Sequence, residues 1–205
     1  ENPNYAVCFT QAKFIDENGA PYDLPENHSY HNIFRQKNRS REEWLNHLFW
    51  NLNCFCNPSA MIENKLEVVQ MNPCLFQLPD YFMWLNVCKT KNVYVLEDEL
   101  IRFRLRRQEQ SSVSSFSLEQ SIRVSNEAYF TAREFFPLTK NDAEFLKIFP
   151  EAQEFCINGK LVAEFAFAQL CLKRNLPAFQ KLALEILQDL LHNEGKRNLI
   201  KKLYL

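Results

Sequence analysis

The chain has 205 residues, a formal net charge of −1 and 46% apolar residues, which suits one ordinary domain or two small ones around a real core. Near-neutral charge removes a global basic field for nucleic acid, and with only three glycines no G-x-G-x-x-G or G-x-x-x-x-G-K-[ST] phosphate loop can be written. The seven cysteines, odd in number and mostly within apolar runs, read as buried, reduced thiols of a cytoplasmic protein.

No secretory signal or membrane-spanning run is visible. The chain begins at Glu1 without Met, almost directly in a strand, so we read it as a piece of a longer protein. Tyr5-Ala6-Val7-Cys8-Phe9-Thr10 is rich in β-formers and predicts a strand, closed by the turn Asp16-Glu17-Asn18-Gly19. Residues 20 to 38, with Pro21, Pro25 and many polar positions, predict a long surface loop. His28 and His31 fall in it as a metal pair or as solvated loop histidines, with no third ligand in view. Ser40-Arg41-Glu42-Glu43 is a capping box. It opens a helix to about Trp50 with the apolar stripe Trp44, Leu45, Leu48 and Phe49, and His47 lies beside that stripe.

Asn53 to Ile62 contains the close pair Cys54 and Cys56, whose spacing is wrong for a zinc knuckle. Asn57-Pro58 predicts a turn and Ser59 to Ile62 a strand, while Leu66 to Met71 fits a strand or a helical turn. In Leu78-Pro79-Asp80, the proline ring keeps Leu78 out of helical geometry and a helix starts, running to about Thr90. A carboxylate at that start meets free N–H groups and the positive end of the helix dipole. Asp80 therefore reads as a capping residue or as a placed proton acceptor, with Trp84 one turn on along the same face. Asn92 to Leu96 and Leu100 to Leu105 predict two strands, with Glu97-Asp98-Glu99 as their turn and Arg102, Arg104, Arg106 and Arg107 clustered at the end. Residues 108 to 117 are a Ser/Gln-rich linker candidate.

Beyond that linker every signal is helical: Leu118 to about Phe136, a capped helix from Asn141 to Phe149-Pro150, Gly159 to about Asn175, and Pro177 to about Asn193. In the last of these, Phe179, Leu182, Ile186, Leu187, Leu190 and Leu191 face inward and Gly195 is the stop. The tail alternates Lys196, Arg197, Lys201 and Lys202 with Leu199, Ile200, Leu203 and Leu205. It fits a packed helix with a solvated basic face or a peripheral contact with an anionic membrane surface.

The order of segments through about residue 112 resembles the C-terminal half of bacterial family-2 glycosyltransferases. Phe9 to Gly19 resembles their opening strand and turn. Asn53 to Ile62 resembles the H-P-S-containing lead-in. Leu78-Pro79-Asp80-Tyr81-Phe82-Met83-Trp84-Leu85 resembles the E-D-Y-x-L-W-L helix start, and Asn92 to Arg104 the following strand with its Y-R ending. The resemblance implies an α/β fold: a partial GT-A-like mixed sheet with flanking helices over residues 1–112, followed by an all-α accessory region, 113–205. It implies an inverting transfer of sugar from a nucleotide-sugar donor to a glycan or lipid-linked acceptor, with Asp80 as general base, Trp84 packing or lining the acceptor pocket, and Arg104 and Arg106 either approaching the diphosphate or forming a solvated basic strand end. It also implies a divalent metal, Mg²⁺ or Mn²⁺, in the whole enzyme, at the inner face of the membrane or in the cytoplasm.

The sequence departs from the family's pattern at three places. Pro79 stands where an acidic residue is expected, Asn57 where a His is expected, and Arg106 or Arg107 where another His is expected. The nucleotide-binding half with its D-x-D motif is missing, so the piece alone is expected to be inactive. An incomplete sheet exposes an edge, which predicts a homodimer or shielding by the C-terminal helices. The competing reading makes the helices of residues 118–205 a non-catalytic module that docks a protein or a membrane.

Overall fold

A computed structural model describes residues 5–26, 28, 30–64, 69–105 and 117–204. It is a mixed α/β structure with a small three-stranded sheet and many helices. The chain divides into two compact units, Glu1–Gln120 and Ser121–Leu205. The predicted linker lies almost wholly outside the described residues.

In the first unit the sheet has the order β2-β1-β3. Strand β1 is Tyr5–Ile15, longer than the six residues predicted, and it runs to the Asp16–Gly19 turn. There the Asp16 carboxylate accepts from the backbone N–H groups of Asn18 and Ala20, both at 2.9 Å, and Gly19 takes φ +89°, which favours glycine. Strand β2 shrinks to Met61–Ile62, antiparallel to β1, because Asn57–Ser59 coils into a 3₁₀ turn first.

The two strands predicted after residue 92 are one, β3, Asn92–Arg104, parallel to β1. Thr10 pairs with Leu96 and the next residue, Gln11, with Glu99, so Glu97 and Asp98 form a bulge rather than a connecting turn. This exposed acidic bulge, together with the exposed Arg102 and Arg104, makes β3 a poor template for a further strand. Asn38 adds to this by accepting from the Val95 N–H at 3.0 Å.

Two antiparallel helices back the sheet. The predicted capping box is present: Ser40 caps α2, Arg41–Asn51, and Glu43 returns the bond. All four stripe residues, Trp44, Leu45, Leu48 and Phe49, are fully buried. Helix α3 is Pro79–Thr90. Arg41 Nη1 donates to the Lys89 carbonyl at 2.9 Å, and the Tyr81 hydroxyl donates to the Leu48 carbonyl at 2.9 Å. The start of α2 thus lies at the end of α3, and the end of α2 at the start of α3. Between helices and sheet, Phe9 stacks on Phe55 (4.6 Å) and meets the Trp84 ring edge-on (4.8 Å).

The loop of residues 20–38 is not merely surface. It contains a short helix, α1, His31–Phe34, and Tyr22, Leu24, Tyr30, Ile33 and Phe34 pack with Ala12, Phe14 and Phe103 into a second apolar cluster. Prolines and polar residues mask this pattern, because the apolar positions follow neither helical nor strand periodicity.

One buried hydroxyl joins the two halves of this core. Ser59 Oγ accepts from Thr10 N–H at 3.0 Å and lies 2.8 Å from the Cys56 carbonyl. Ser59→Ala strands the Thr10 N–H away from water. We expect a loss of about 1–3 kcal/mol, measured by urea denaturation, with the helical signal of the native state unchanged.

The second unit is all helix. Helix α4, Leu118–Arg133, begins just before the division and stops three residues short of the predicted Phe136, where a 3₁₀ turn over Phe136–Lys140 begins. Asn141 caps α5, Asp142–Ile148, by accepting from Glu144 N–H at 3.1 Å, as the sequence predicts. Helix α6 is Ala163–Lys173, starting four residues later than predicted: Asn158 and Gly159 take φ +50° and +73°, and Ile157 bridges Lys160. The Asn-Gly pair is a turn signal, and it prevails over the helical pattern from Gly159. Helix α7 is Pro177–His192. Its Phe179, Leu182, Ile186 and Leu190 are buried as expected, but Leu191 is 49% exposed.

Gly195 does not stop a helix. It lies within α8, Glu194–Tyr204, and the break falls at Asn193, whose side chain accepts from Lys196 N–H at 3.0 Å. The core of this unit is aromatic: Phe135, Phe145, Phe149 and Phe167 are fully buried, with Phe145–Phe149 ring centres 5.2 Å apart. That accounts for part of the unusual count of 18 phenylalanines.

Candidate functional site

The antiparallel pairing of α2 and α3 decides what meets Asp80. The chain leaves α2 through Leu52, whose φ of +63° is strained for a branched side chain. That reversal sends Asn53 back toward the start of α3. Asn53 Oδ1 accepts from Phe55 N–H at 3.2 Å, and Nδ2 donates to Asp80 Oδ2 at 2.8 Å. With its oxygen committed to the backbone, the amide must present its N–H to the carboxylate, so its orientation is set by both bonds.

Asp80 is half-buried in the first turn of α3. It is not the capping residue: Leu78 holds that position and Pro79 follows it. Instead Asp80 Oδ1 takes the N–H of Tyr81 at 2.8 Å. Burial raises the proton affinity of the carboxyl above its ordinary value, against the backbone N–H bonds of Tyr81 and Asp80 itself, which pull the other way. A carboxylate so placed is fixed by a neutral amide, has no ion pair among the described residues, and is pushed by burial toward holding its proton more tightly than in water. Those are the properties of a proton acceptor rather than of an ion-pair partner.

Trp84 does share a helix face with Asp80, but it is 1% exposed, with its ring against Phe9 and Phe55. It belongs to the core and lines no acceptor pocket. Its indole N–H is buried without a partner among the described residues. Arg104 is also placed otherwise than expected. Its Nη1 donates to the carbonyls of Asp16 (3.0 Å) and Glu17 (2.7 Å), so it ties the end of β3 to the turn after β1. No hydrogen bond or ion pair among the described residues links it to Asp80. Arg106, the other expected diphosphate contact, lies outside the described residues, as does Arg107.

The loop histidines are used locally. His28 Nδ1 accepts from the Tyr30 N–H at 3.2 Å, and His31 Nε2 lies 2.9 Å from the Pro25 carbonyl. Among the described residues no three of His, Cys, Asp and Glu come together to hold a metal. All seven cysteines are free, and four of them, Cys54, Cys56, Cys88 and Cys171, are buried. Burial pushes the Cys54 thiol up to about 12, far from a reactive thiolate. Cys74 is exposed, contrary to the expectation of burial.

Among the described residues the first unit carries several hollows, two of them large. One, of about 800 Å³, lies over the start of β1 and over β2, between Tyr5, Met61, Ile62 and Tyr94. The other, of about 500 Å³, is lined by Glu26, Arg35, Lys37, Arg39 and, on α2, His47. Asp80 lines neither.

In the second unit α8 is docked by its apolar side. Ile200 is buried, the Tyr204 ring stacks on Phe165 at 4.3 Å, and its hydroxyl donates to the Phe155 carbonyl at 2.8 Å. Lys196 pairs with Glu164. Among the described residues no helix is long and apolar enough to cross a membrane.

A scan against models of known protein families finds no match to the chain, and neither does a search of curated protein sequences. Asn53 is the residue that sequence reasoning misses. In sequence it is only part of a strand lead-in, and nothing local marks it as the partner of a carboxylate 27 positions away.

Proposed function

We propose that this chain is the acceptor-side part of an inverting glycosyltransferase with a GT-A-like catalytic domain, and that Asp80 is its general base. The observation that carries the reading is the Asn53–Asp80 hydrogen bond at the start of α3. It holds a half-buried carboxylate of raised basicity, without an ion pair among the described residues, at the sequence position where the resemblance puts the base. The β1–α2–α3–β3 order brings β3 back parallel to β1 through a helical crossover, as α/β folds do.

In this reading an acceptor hydroxyl attacks the anomeric carbon of the donor. The new C–O bond forms as the bond to the nucleotide diphosphate breaks, and the electron pair leaves with the diphosphate. Asp80 takes the hydroxyl proton as the oxygen becomes electron-poor. Asn53 stops the carboxylate from turning away, which preserves the geometry of the transfer. The divalent metal implied by the resemblance has no ligand set among the described residues of this chain.

The test is transfer from a panel of nucleotide sugars by the longest protein that contains this chain, with Asp80→Asn beside it. Activity that survives the substitution at near-normal turnover rejects the assignment.

A further inference from the structure

We propose that the groove lined by Glu26, Arg35, Lys37, Arg39 and His47 binds a ligand through a phosphoryl dianion, either a phosphate monoester or a diphosphate. The inference is independent of the role given to Asp80, which lies outside this groove.

The chain as a whole is nearly neutral, yet Arg35, Lys37 and Arg39 all line this one surface, against the single carboxylate of Glu26. Among the described residues none of the three cations is in an ion pair with a carboxylate. Glu43 is near enough to feel Arg39, but it takes its hydrogen bonds from Ser40. Three like charges on one concave wall repel each other, and an anion of charge −2 is the species that relieves this.

The wall is built rather than incidental. Gln36 is 6% exposed, and its carbonyl is held to β1 by Gln11 Nε2 at 3.0 Å. From that anchor Gln36 Oε1 accepts from Arg39 Nη1 at 2.7 Å, and the Lys37 carbonyl takes a second bond from the same nitrogen at 2.9 Å. The guanidinium also lies over the Trp44 ring, 4.7 Å from its centre. Arg39 is therefore fixed through one nitrogen, while its Nη2 and Nε make no hydrogen bond among the described residues. An ordered guanidinium edge suits two oxygens of a phosphoryl group.

His47 also lines this wall. Asn51 Nδ2 approaches His47 Nδ1 at 3.2 Å and donates to the His47 carbonyl at 3.1 Å, which makes Nδ1 the acceptor and puts the proton on Nε2. That N–H is buried and has no acceptor among the described residues, a state that costs free energy. The groove, of about 500 Å³, is wide open to solvent and leaves room for a ligand larger than an inorganic anion.

The test uses the full 205-residue chain, titrated calorimetrically at fixed ionic strength with inorganic pyrophosphate, glucose 1-phosphate and glucuronate. Saturable one-site binding of pyrophosphate or glucose 1-phosphate is expected, and the tighter of the two identifies the diphosphate or the monoester as the source. Arg35→Gln combined with Lys37→Gln is expected to weaken that binding about 10- to 100-fold. Both side chains are exposed and without a carboxylate partner among the described residues; Arg35 also lies over the Phe14 ring at 6.0 Å, a weak contact at an exposed site, so the unliganded melting temperature should fall only slightly. Non-saturating heats for both phosphates, glucuronate binding as tightly as they do, or unchanged affinity in the double variant would each overturn the proposal.

Discussion

Asp80→Asn in the longest protein carrying this chain is expected to lower the transfer rate about 10²- to 10⁴-fold, the usual contribution of a positioned base. The substitution keeps the shape and removes the proton acceptor. It does not remove the start of α3, because the chain there is held by Pro79 and by the burial of Tyr81 and Trp84. The acceptor KM should change little, since the hydroxyl still has a hydrogen-bonding partner in the amide. A loss expressed mainly in KM would point to a binding role and against the base.

The same substitution has a second, independent consequence for stability. Burial raises the Asp80 carboxyl above its unfolded value, so between the two values the folded chain holds more protons than the unfolded one. Stability then falls as pH rises through that window. The cost is absent below about pH 3.9, the ordinary aspartate value, and fully present above the raised folded value. The asparagine variant carries no such cost, although its amide can offer oxygen to only one of Asn53 and Tyr81. The expected result is a melting-temperature difference that moves in favour of Asp80→Asn as pH rises from about 3 to 7. A difference that moves the other way would mean that the N–H bonds outweigh burial and that the carboxylate is a structural anion.

The elements that could be read from the sequence are those whose signals are local. The Ser40–Glu43 box, the Asn141 cap and the Leu78-Pro79 entry to α3 each depend on a few adjacent residues, and each is present in the fold. The features that could not be read depend on pairing across the chain. Glu97 and Asp98 look like a turn in sequence and become a bulge because β1 supplies a partner for Leu96 and then for Glu99. The cluster around Phe34 has no period, so in sequence its apolar residues look like isolated positions in a polar loop. At the candidate site the split is the same. Asp80 stands out at a helix start, but Asn53 becomes its neighbour only once Tyr81 and Arg41 lock α3 against α2. Arg104 has the right charge for a diphosphate, and only the fold reveals that the Asp16 and Glu17 carbonyls already hold it.

Trp84→Ala is expected to destabilise the first unit by about 3–5 kcal/mol, as for other fully buried aromatics. The indole fills the space between α3 and the sheet, edge-on to Phe9 at 4.8 Å and at 6.3 Å from Phe55, and alanine leaves that volume empty. Edge-to-face contacts add about 0.5–1.5 kcal/mol beyond the area buried. Trp84→Phe separates packing from polarity. The indole N–H has no partner among the described residues, so phenylalanine loses volume but no hydrogen bond, and the cost should be less than half that of alanine. Urea denaturation of the 205-residue chain measures both. In the longest protein, Trp84→Phe should leave the acceptor KM where it was, because the ring faces the core. A raised KM with unchanged stability would put the side chain at the acceptor after all. It would also require the start of α3 to open, since a residue 1% exposed reaches a substrate only if the turn bearing Asp80 moves with it.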